Sequence, residues 1–294
     1  MLNAFTVDVE DYFQVSAFEK HVDRDGWHNW ESRVAANTHR VLELLDRHGV
    51  RATFFILGWN AERHPRLVRE IHACGHEIGS HGYWHRLIYR QTPDEFRADL
   101  RRSRDVLQEA VGSRVTAHRG ASFSITRESL WALEILVEEG FLVDSSIFPV
   151  RHDRYGIPDA QPGPHRLETP SGSIWEFPPS VARLAGMNLP VGGGGYFRLF
   201  PLPWTVHWLR RINRAQRRPL MFYVHPWELD PGQPRIRGCS RLSRFRHYVN
   251  LAKNQRKLDG LLRRFRFGRI SDVIDRHTAG AVPSSVCPAE TGGE

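Results

Sequence analysis

The sequence predicts an α/β protein, a distorted (β/α) barrel of about seven parallel strands with an elaborated C-terminal region. Three observations predict it. Apolar, β-branched runs recur at 4–9, 51–57, 76–79, 115–118, 141–143, 174–177 and 220–224. Helix-period segments separate several of them. Glycines stand where those helices should stop, which returns the chain toward another strand in the same direction.

The first run, AFTVDV, is followed by VAANTHRVLELLDRHG (34–49), which ends on Gly49. After the second strand, HPRLVREIHACG (64–75) ends on Gly75 and leads directly into HEIG. TPDEFRADLRRSRDVLQEAVG (92–112) opens with Thr92 as N-cap and Pro93 at the first helical position. TRESLWALEILVEEG (126–140) closes on Gly140. From 150 to 203 the regularity fails: DRYGIPDAQPGPH and LPVGGGGYFRLFP read as long loops, the kind that build a substrate site at one end of a barrel. The glycine run 192–195 is no phosphate loop, because no Gly-Lys-Ser/Thr follows it. One domain is expected over 1–275, with a basic extension from about 227. Residues 276–294 read as a small, polar, disordered tail.

At 294 residues, 40% hydrophobic and 25% charged, the composition is that of a globular chain. No basic n-region, apolar h-region or cleavage site precedes Asp8, and no run approaches the roughly 20 apolar residues of a membrane helix. The expected location is therefore cytoplasmic, with peripheral membrane association left open. Cys74, Cys239 and Cys287 are scattered, which argues against a disulfide framework or a cysteine zinc site. A net charge of +8 concentrates late, in RRINRAQRR (210–218), RIRGCSRLSRFRH (235–247) and RRFRFGR (263–269). Such runs suit nucleic acid, a membrane surface or an acidic polysaccharide, or simply a solvated face. No helix-turn-helix, zinc-finger or RNA-binding signature accompanies them, so a nucleic-acid partner is not expected. Oligomeric state is not readable.

Chemistry concentrates at two places. FTVDVEDYFQ (5–14) ends its strand in Asp8, Glu10 and Asp11, like charges that need a cation or a proton-transfer task. GHEIGSHGYWH (75–85) spaces His81 and His85 four apart, a separation that puts both imidazoles on one face of a helical turn. A rival pair, His72 and His76, is split by Gly75. A carboxylate and two imidazoles make a three-ligand set with a fourth position open, as in catalytic zinc sites. Residues 8 and 10 of a strand share a face, so Asp8 and Glu10 can divide the roles of base and ligand, while Asp11 points elsewhere unless the strand has ended.

TVDVEDYF, GHEIGSHGYWH, RGASFS, DSSIFP and FYVHPWELDP, in this order, resemble the polysaccharide deacetylases of the NodB-homology type, carbohydrate esterase family four. More narrowly, the chain is similar to those found with exopolysaccharide and exosortase gene clusters. The resemblance spans residue 3 to about 275. It implies Asp8 as general base, and Glu10, His81 and His85 as metal ligands with Asp11 the alternative to Glu10. Arg119 would orient the base, Asp144 would orient the catalytic histidine, and His225 would be the general acid. The Ser122 backbone N–H would stabilise the oxyanion. Each has a plain structural alternative: an ion pair for Arg119, a turn for Asp144, a packed strand-end histidine for His225. Trp227 and Trp175 are candidates to wall a sugar site or to pack in the core. Ala121 stands where the family has proline, and Phe148 where tryptophan is expected.

The implied activity is hydrolysis of N-acetyl groups on an extracellular polysaccharide or its precursor. Water bound to one divalent ion, zinc by preference, would attack the acetamide. An acetylated polysaccharide or oligosaccharide is the implied partner. The alternatives are a hydrolase of a small cyclic amide or imide on the same scaffold, and a metal-free glycan-binding module.

Overall fold

The structure is a computed structural model that describes residues 1–279. Its strands are β1 (Leu2–Val9), β2 (Thr53–Ile56), β3 (Glu77–Ser80), β4 (Ala117–His118), β5 (Val143–Asp144), β6 (His165–Thr169), β7 (Gly172–Glu176), β8 (Val181–Leu184), β9 (Met187–Pro190), β10 (Met221–Val224) and β11 (Arg266–Gly268). The helices in the first half are α1 (Val34–Arg47), α2 (Gly58–Arg63), α3 (Pro65–Ala73), α4 (Pro93–Val111) and α5 (Trp131–Glu138). Those in the second are α6 (Gly194–Leu199), α7 (Leu202–Ala215), α8 (Arg241–Tyr248), α9 (Leu251–Leu262) and α10 (Ile270–Ala279).

Strands β10, β1, β2, β3, β4, β5 and β7 lie side by side in that order, each parallel to the next, as the seven apolar runs predict. Ala4 of β1 pairs with Met221 of β10 on one edge and Gly268 of β11 on the other. The helices between strands end as expected. Thr92 and Glu95 form a reciprocal capping box ahead of α4, and Gly112 closes it in the left-handed conformation.

No ladder joins β10 to β7 among the described residues. Irregular chain after β7 makes that side instead. The Phe177 N–H donates to the Asp144 carbonyl, Ser180 N–H to Met221, and Tyr223 N–H to Gly192 at 2.8 Å. Gly193 lies so close to β10 that a Cβ there would sit 2.0 Å from the Tyr223 carbonyl oxygen, which is why glycine occupies it. The barrel is thus distorted, a curved parallel sheet closed by loop.

Alternation along each strand separates two cores. Phe5, Val7, Phe54 and Ile56 face the helices, packing with Val41, Leu44, Val68 and Leu100. Ala4, Phe55, Ala117, Val143, Phe177 and Met221 face inward and meet Ile270, Val273 and Ile274 of α10. The Ile270 N–H also donates to Thr53 Oγ1 at the start of β2. Helix α10 therefore plugs the N-terminal mouth and leaves the C-terminal strand ends for chemistry.

Two expectations change here. The stretch 150–203 holds two antiparallel hairpins, β6–β7 and β8–β9, and α6 begins inside the glycine run. Helix α10 continues to Ala279, past the boundary expected at 275, and the remainder of the expected tail, 280–294, lies outside the described residues. No described helix is long and apolar enough to cross a membrane.

Candidate active site

Strand β1 stops at Val9, where the Glu10 N–H turns back to the Asp8 carbonyl at 2.9 Å. Both side chains are buried, and their neighbours differ. Asp8 Oδ1 accepts from Arg119 Nη1 at 2.6 Å. Arg119, fully buried, also donates to Thr6 Oγ1 and Ser145 Oγ, and its guanidinium carbon lies 4.2 Å from the Phe55 ring centre. Every part of that fork is used, so the arginine fixes the Asp8 carboxylate rigidly.

Glu10 Oε1 lies 3.0 Å from Nε2 of both His81 and His85. The donor atoms of the three residues all lie within 4.8 Å of one another. His81 Nδ1 contacts the Arg119 carbonyl at 2.7 Å; a carbonyl only accepts, so Nδ1 carries the proton and Nε2 presents a lone pair to Glu10. Neither ring nitrogen of His85, which is 2% exposed, has an aligned hydrogen-bond partner. Lone pairs converging on a carboxylate repel each other unless a cation lies among them, so the set fits a divalent metal. Burial works to raise the Glu10 pKa, and the imidazoles around it, His85 and His225 foremost, reverse this and hold it well below the usual carboxylate range.

The two histidines do not share a helical turn. They follow β3 on a tight loop whose amides at Tyr83 and Trp84 donate to the Asp99 carboxylate. His85 itself has φ 51°, and Ser122 and Phe123 are likewise left-handed at φ 53° and 54°. Non-glycine residues held there mark strain concentrated at one site. The rival His76 is elsewhere, with Nδ1 accepting from the Ala52 N–H, and His72 is exposed.

His225 follows β10. Its Nε2 lies 3.9 Å from Asp8 Oδ2 and 3.8 Å from Glu10 Oε1. Burial opposes its protonation, yet Glu10, then Glu228 and Asp8, outweigh that and push its pKa up to about 9. Ser122 and His225 line one cavity of about 410 Å³, and the Ser122 hydroxyl bonds Ser16 at 2.7 Å.

Residues 24–136 match the family model described as polysaccharide deacetylase, and residues 145–275 match a domain of unknown function, DUF3473. Over residues 24–136 the chain is thus similar to the polysaccharide deacetylases of the NodB-homology type. A peptidoglycan-N-acetylglucosamine deacetylase of Bacillus cereus is 39% identical over 75 residues, 26% of this chain and 27% of that protein. A chitooligosaccharide deacetylase of a Bradyrhizobium strain is 29% identical over 99 residues, 34% of this chain and 43% of that one. The chain thus spans less than half the length of either relative. Among solved structures, a Mycobacterium smegmatis protein assigned as a polysaccharide deacetylase superposes with TM-score 0.62 at 19% identity, covering 98% of this chain and 93% of that one. Puue allantoinase gives 0.61 at 17% identity, covering 95% and 90%. At such identities the likeness is one of fold. The deacetylase match contains His81, His85, Arg119 and Ser122; Asp8 and Glu10 precede it, and His225 follows it.

Geometry corrects four of the expectations. Asp144 does not reach His225. It binds His118 Nδ1 at 2.8 Å and the Ser146 hydroxyl at 2.6 Å, where His118 packs between Phe96 and Phe141. Beside it, burial and the Asp144 charge hold the Glu176 pKa well above its ordinary value. The carboxylate on His225 is Glu228, whose Oε1 lies 2.9 Å from Nδ1 across the short helix Pro226–Leu229. The i,i+3 spacing in HPWE is the signal that points to it. Asp11 is no ligand, because its Oδ2 accepts from Ser32 Oγ and from the Arg33 and Val34 amides that open α1. Trp227 lines the cavity but is only 4% exposed, with the imidazoles of His225 and His247 stacked against it at 5.1 and 4.1 Å, so little of its ring is open for stacking. Trp175 packs against the inner cluster that holds Ile270, Val273 and Ile274, near His277 of α10.

Proposed function

We propose that the protein is a metal-dependent hydrolase that removes N-acetyl groups from sugars of an extracellular polysaccharide or its precursor. The observation that carries this is that His225, which lines the cavity, sets Nε2 within 3.9 Å of Asp8 and 3.8 Å of Glu10, itself clustered with the His81 and His85 donors. The deacetylases named among the relatives support the substrate class. Glu10, His81 and His85 would hold the cation, zinc by the chemistry of imidazole and carboxylate donors, and it would supply Lewis-acid polarisation.

The protein's own groups account for the proton transfers. Asp8, fixed by Arg119, takes a proton from the water whose oxygen adds to the acetamide carbonyl carbon. His225 donates through Nε2 to the sugar nitrogen as the C–N bond breaks, releasing acetate and a free amine. Glu228 accepts from Nδ1–H and keeps that imidazole protonated and oriented. The Ser122 amide, with no protein acceptor among the described residues, is free to donate to the developing oxyanion. One domain is required for this, since the base comes from β1 and the acid from the end of β10.

The test is acetate release from N-acetylchitooligosaccharides by the wild type and Asp8→Asn. Loss of a general base should cost about 10²–10⁴-fold while metal content stays unchanged. Retention of more than about a tenth of the activity would remove Asp8 from this role.

A further inference from the structure

The cavity that His225 lines is lopsided in charge. Arg154 and Arg246 both line it, and neither meets a carboxylate among the described residues. Its lining holds a single acid, Glu228, which is fully buried against His225 and lies 3.8 Å from Arg198. His152 lines it too, and Asp153 accompanies that imidazole at 3.0 Å. The reaction itself uses none of Arg154, Arg246 or His152.

Both arginines stand on framework fixed from beneath. Arg246 lies in the last turn of α8, where the carbonyls of Arg246, His247 and Val249 accept from the Arg198 guanidinium at 3.0, 2.6 and 3.1 Å. Arg198 is 2% exposed, so this clamp is part of the interior. Arg154 lies on a loop closed by the Ile157 N–H to Phe148 carbonyl bond, and Asn188 Nδ2 donates to the carbonyls of Pro149 and Pro158. Gly156 turns that loop at φ 103°, with a Cβ position only 2.2 Å from the Val150 carbonyl oxygen, so no other residue fits. The Tyr155 ring is stacked on both Phe148 and His152, at 5.7 and 3.9 Å. The backbone that carries two guanidinium groups without a carboxylate partner is thus fixed at the edge of the cavity.

We propose that Arg154 and Arg246 form an anion subsite, and that the substrate carries a carboxylate or phosphate on the acetylated sugar or its immediate neighbour. The acetamide half of this statement rests on the deacetylase reading; the anion half rests on the cavity alone. Guanidinium forks match both anions bidentately, and near the surface the interaction is weakened by salt. All the residues involved lie in the 145–275 segment, so substrate choice belongs to that part of the chain and the metal donors to the other.

The test is direct binding, by calorimetry, in an Asp8→Asn background where the ligand is not consumed. Three probes are compared: neutral N-acetylchitotetraose, a tetrasaccharide alternating N-acetylglucosamine with glucuronate, and uridine-diphospho-N-acetylglucosamine. At least one anionic probe should bind about ten-fold tighter than the neutral one, and that margin should vanish in Arg154→Ala/Arg246→Ala and shrink at high salt. The probe that gains the margin identifies the anion as carboxylate or phosphate. Equal binding of all three, or equal weakening of all three in the double variant, would overturn the proposal. Both side chains are exposed, and an unchanged melting temperature confirms that the double variant is folded. Acetate release by the parent protein is scored separately. Its absence beside intact anion preference would sink the hydrolase reading and leave the subsite standing.

Discussion

Asp11 stands one residue from Glu10, yet the two carboxylates have unrelated work. Glu10 meets two imidazoles, whereas Asp11 meets the amides that open α1. The turn after Val9 separates them, since the Asp11 N–H is taken by Gln14 Oε1 and its side chain swings outward to the helix. Metal content measured on variants distinguishes the two. Glu10→Gln and His81→Ala should each lose the bound ion, while Asp11→Asn should retain about one per chain. Asp11→Ala should instead cost about 1–2 kcal/mol of stability in denaturant unfolding, the worth of a lost N-terminal cap. An Asp11 variant that lost metal while remaining folded would reverse the assignment.

At the scale of elements, α4 and α5 are joined by a carboxylate clamp. Glu139, just past the end of α5, accepts from Arg97 at 2.8 Å, Arg101 at 2.9 Å and Arg104 at 3.1 Å. Burial favours the neutral acid, but Arg101, Arg97 and Arg104 outweigh it and hold the Glu139 pKa down at about 2. A carboxylate depressed on folding stabilises the native state above its unfolded pKa of about 4.3 and loses that contribution as pH falls through about 2. The arginine side chains are 28%, 55% and 22% exposed, so solvent screening discounts the effect to about 1 kcal/mol at pH 7. Glu139→Gln should therefore unfold more readily than wild type at neutral pH and match it near pH 2. A difference that persisted unchanged at both pH values would place the effect in packing.

Across the whole molecule, the site depends on closing the opposite end of the sheet. The α10 residues Ile270, Val273 and Ile274 fill the space below Ala4, Phe55 and Met221 and close that end with packed apolar side chains. Ile274→Ala should cost about 2–5 kcal/mol in denaturant unfolding through the cavity it leaves, with metal stoichiometry unchanged in the folded protein. A variant that lost metal at full stability would mean that α10 acts on the site directly. The proposed base and acid, Asp8 and His225, lie 217 positions apart and are brought together by the β1–β10 ladder that pairs Val7 with Val224. Register in that ladder sets the distance between them, since a slip by one residue would turn Asp8 away from the interior.

How much could be read in advance follows from the range of the physics involved. Strands buried on both faces are nearly continuous apolar runs, so all seven parallel strands stood out in the chain. Cap chemistry is local, so Thr92 and Gly112 marked α4 correctly. The half-exposed strand β6, HRLET, and the arginine-rich α7 carry no such run and read as loop or as charge. Candidate residues were recognisable by type and order because metal donors and acid-base groups come from few side chains. Their partners were not. Asp144 goes to His118 and Glu228 to His225 because direction at the end of a two-residue strand or a short helix depends on everything packed around it. The sequence alone determined the sheet, its helices and the kinds of group at its C-terminal ends, since these follow from burial periodicity and side-chain chemistry. Only the tertiary structure decided which carboxylate serves which histidine, and that two arginines face the cavity, since both are settled by contacts between distant parts of the chain.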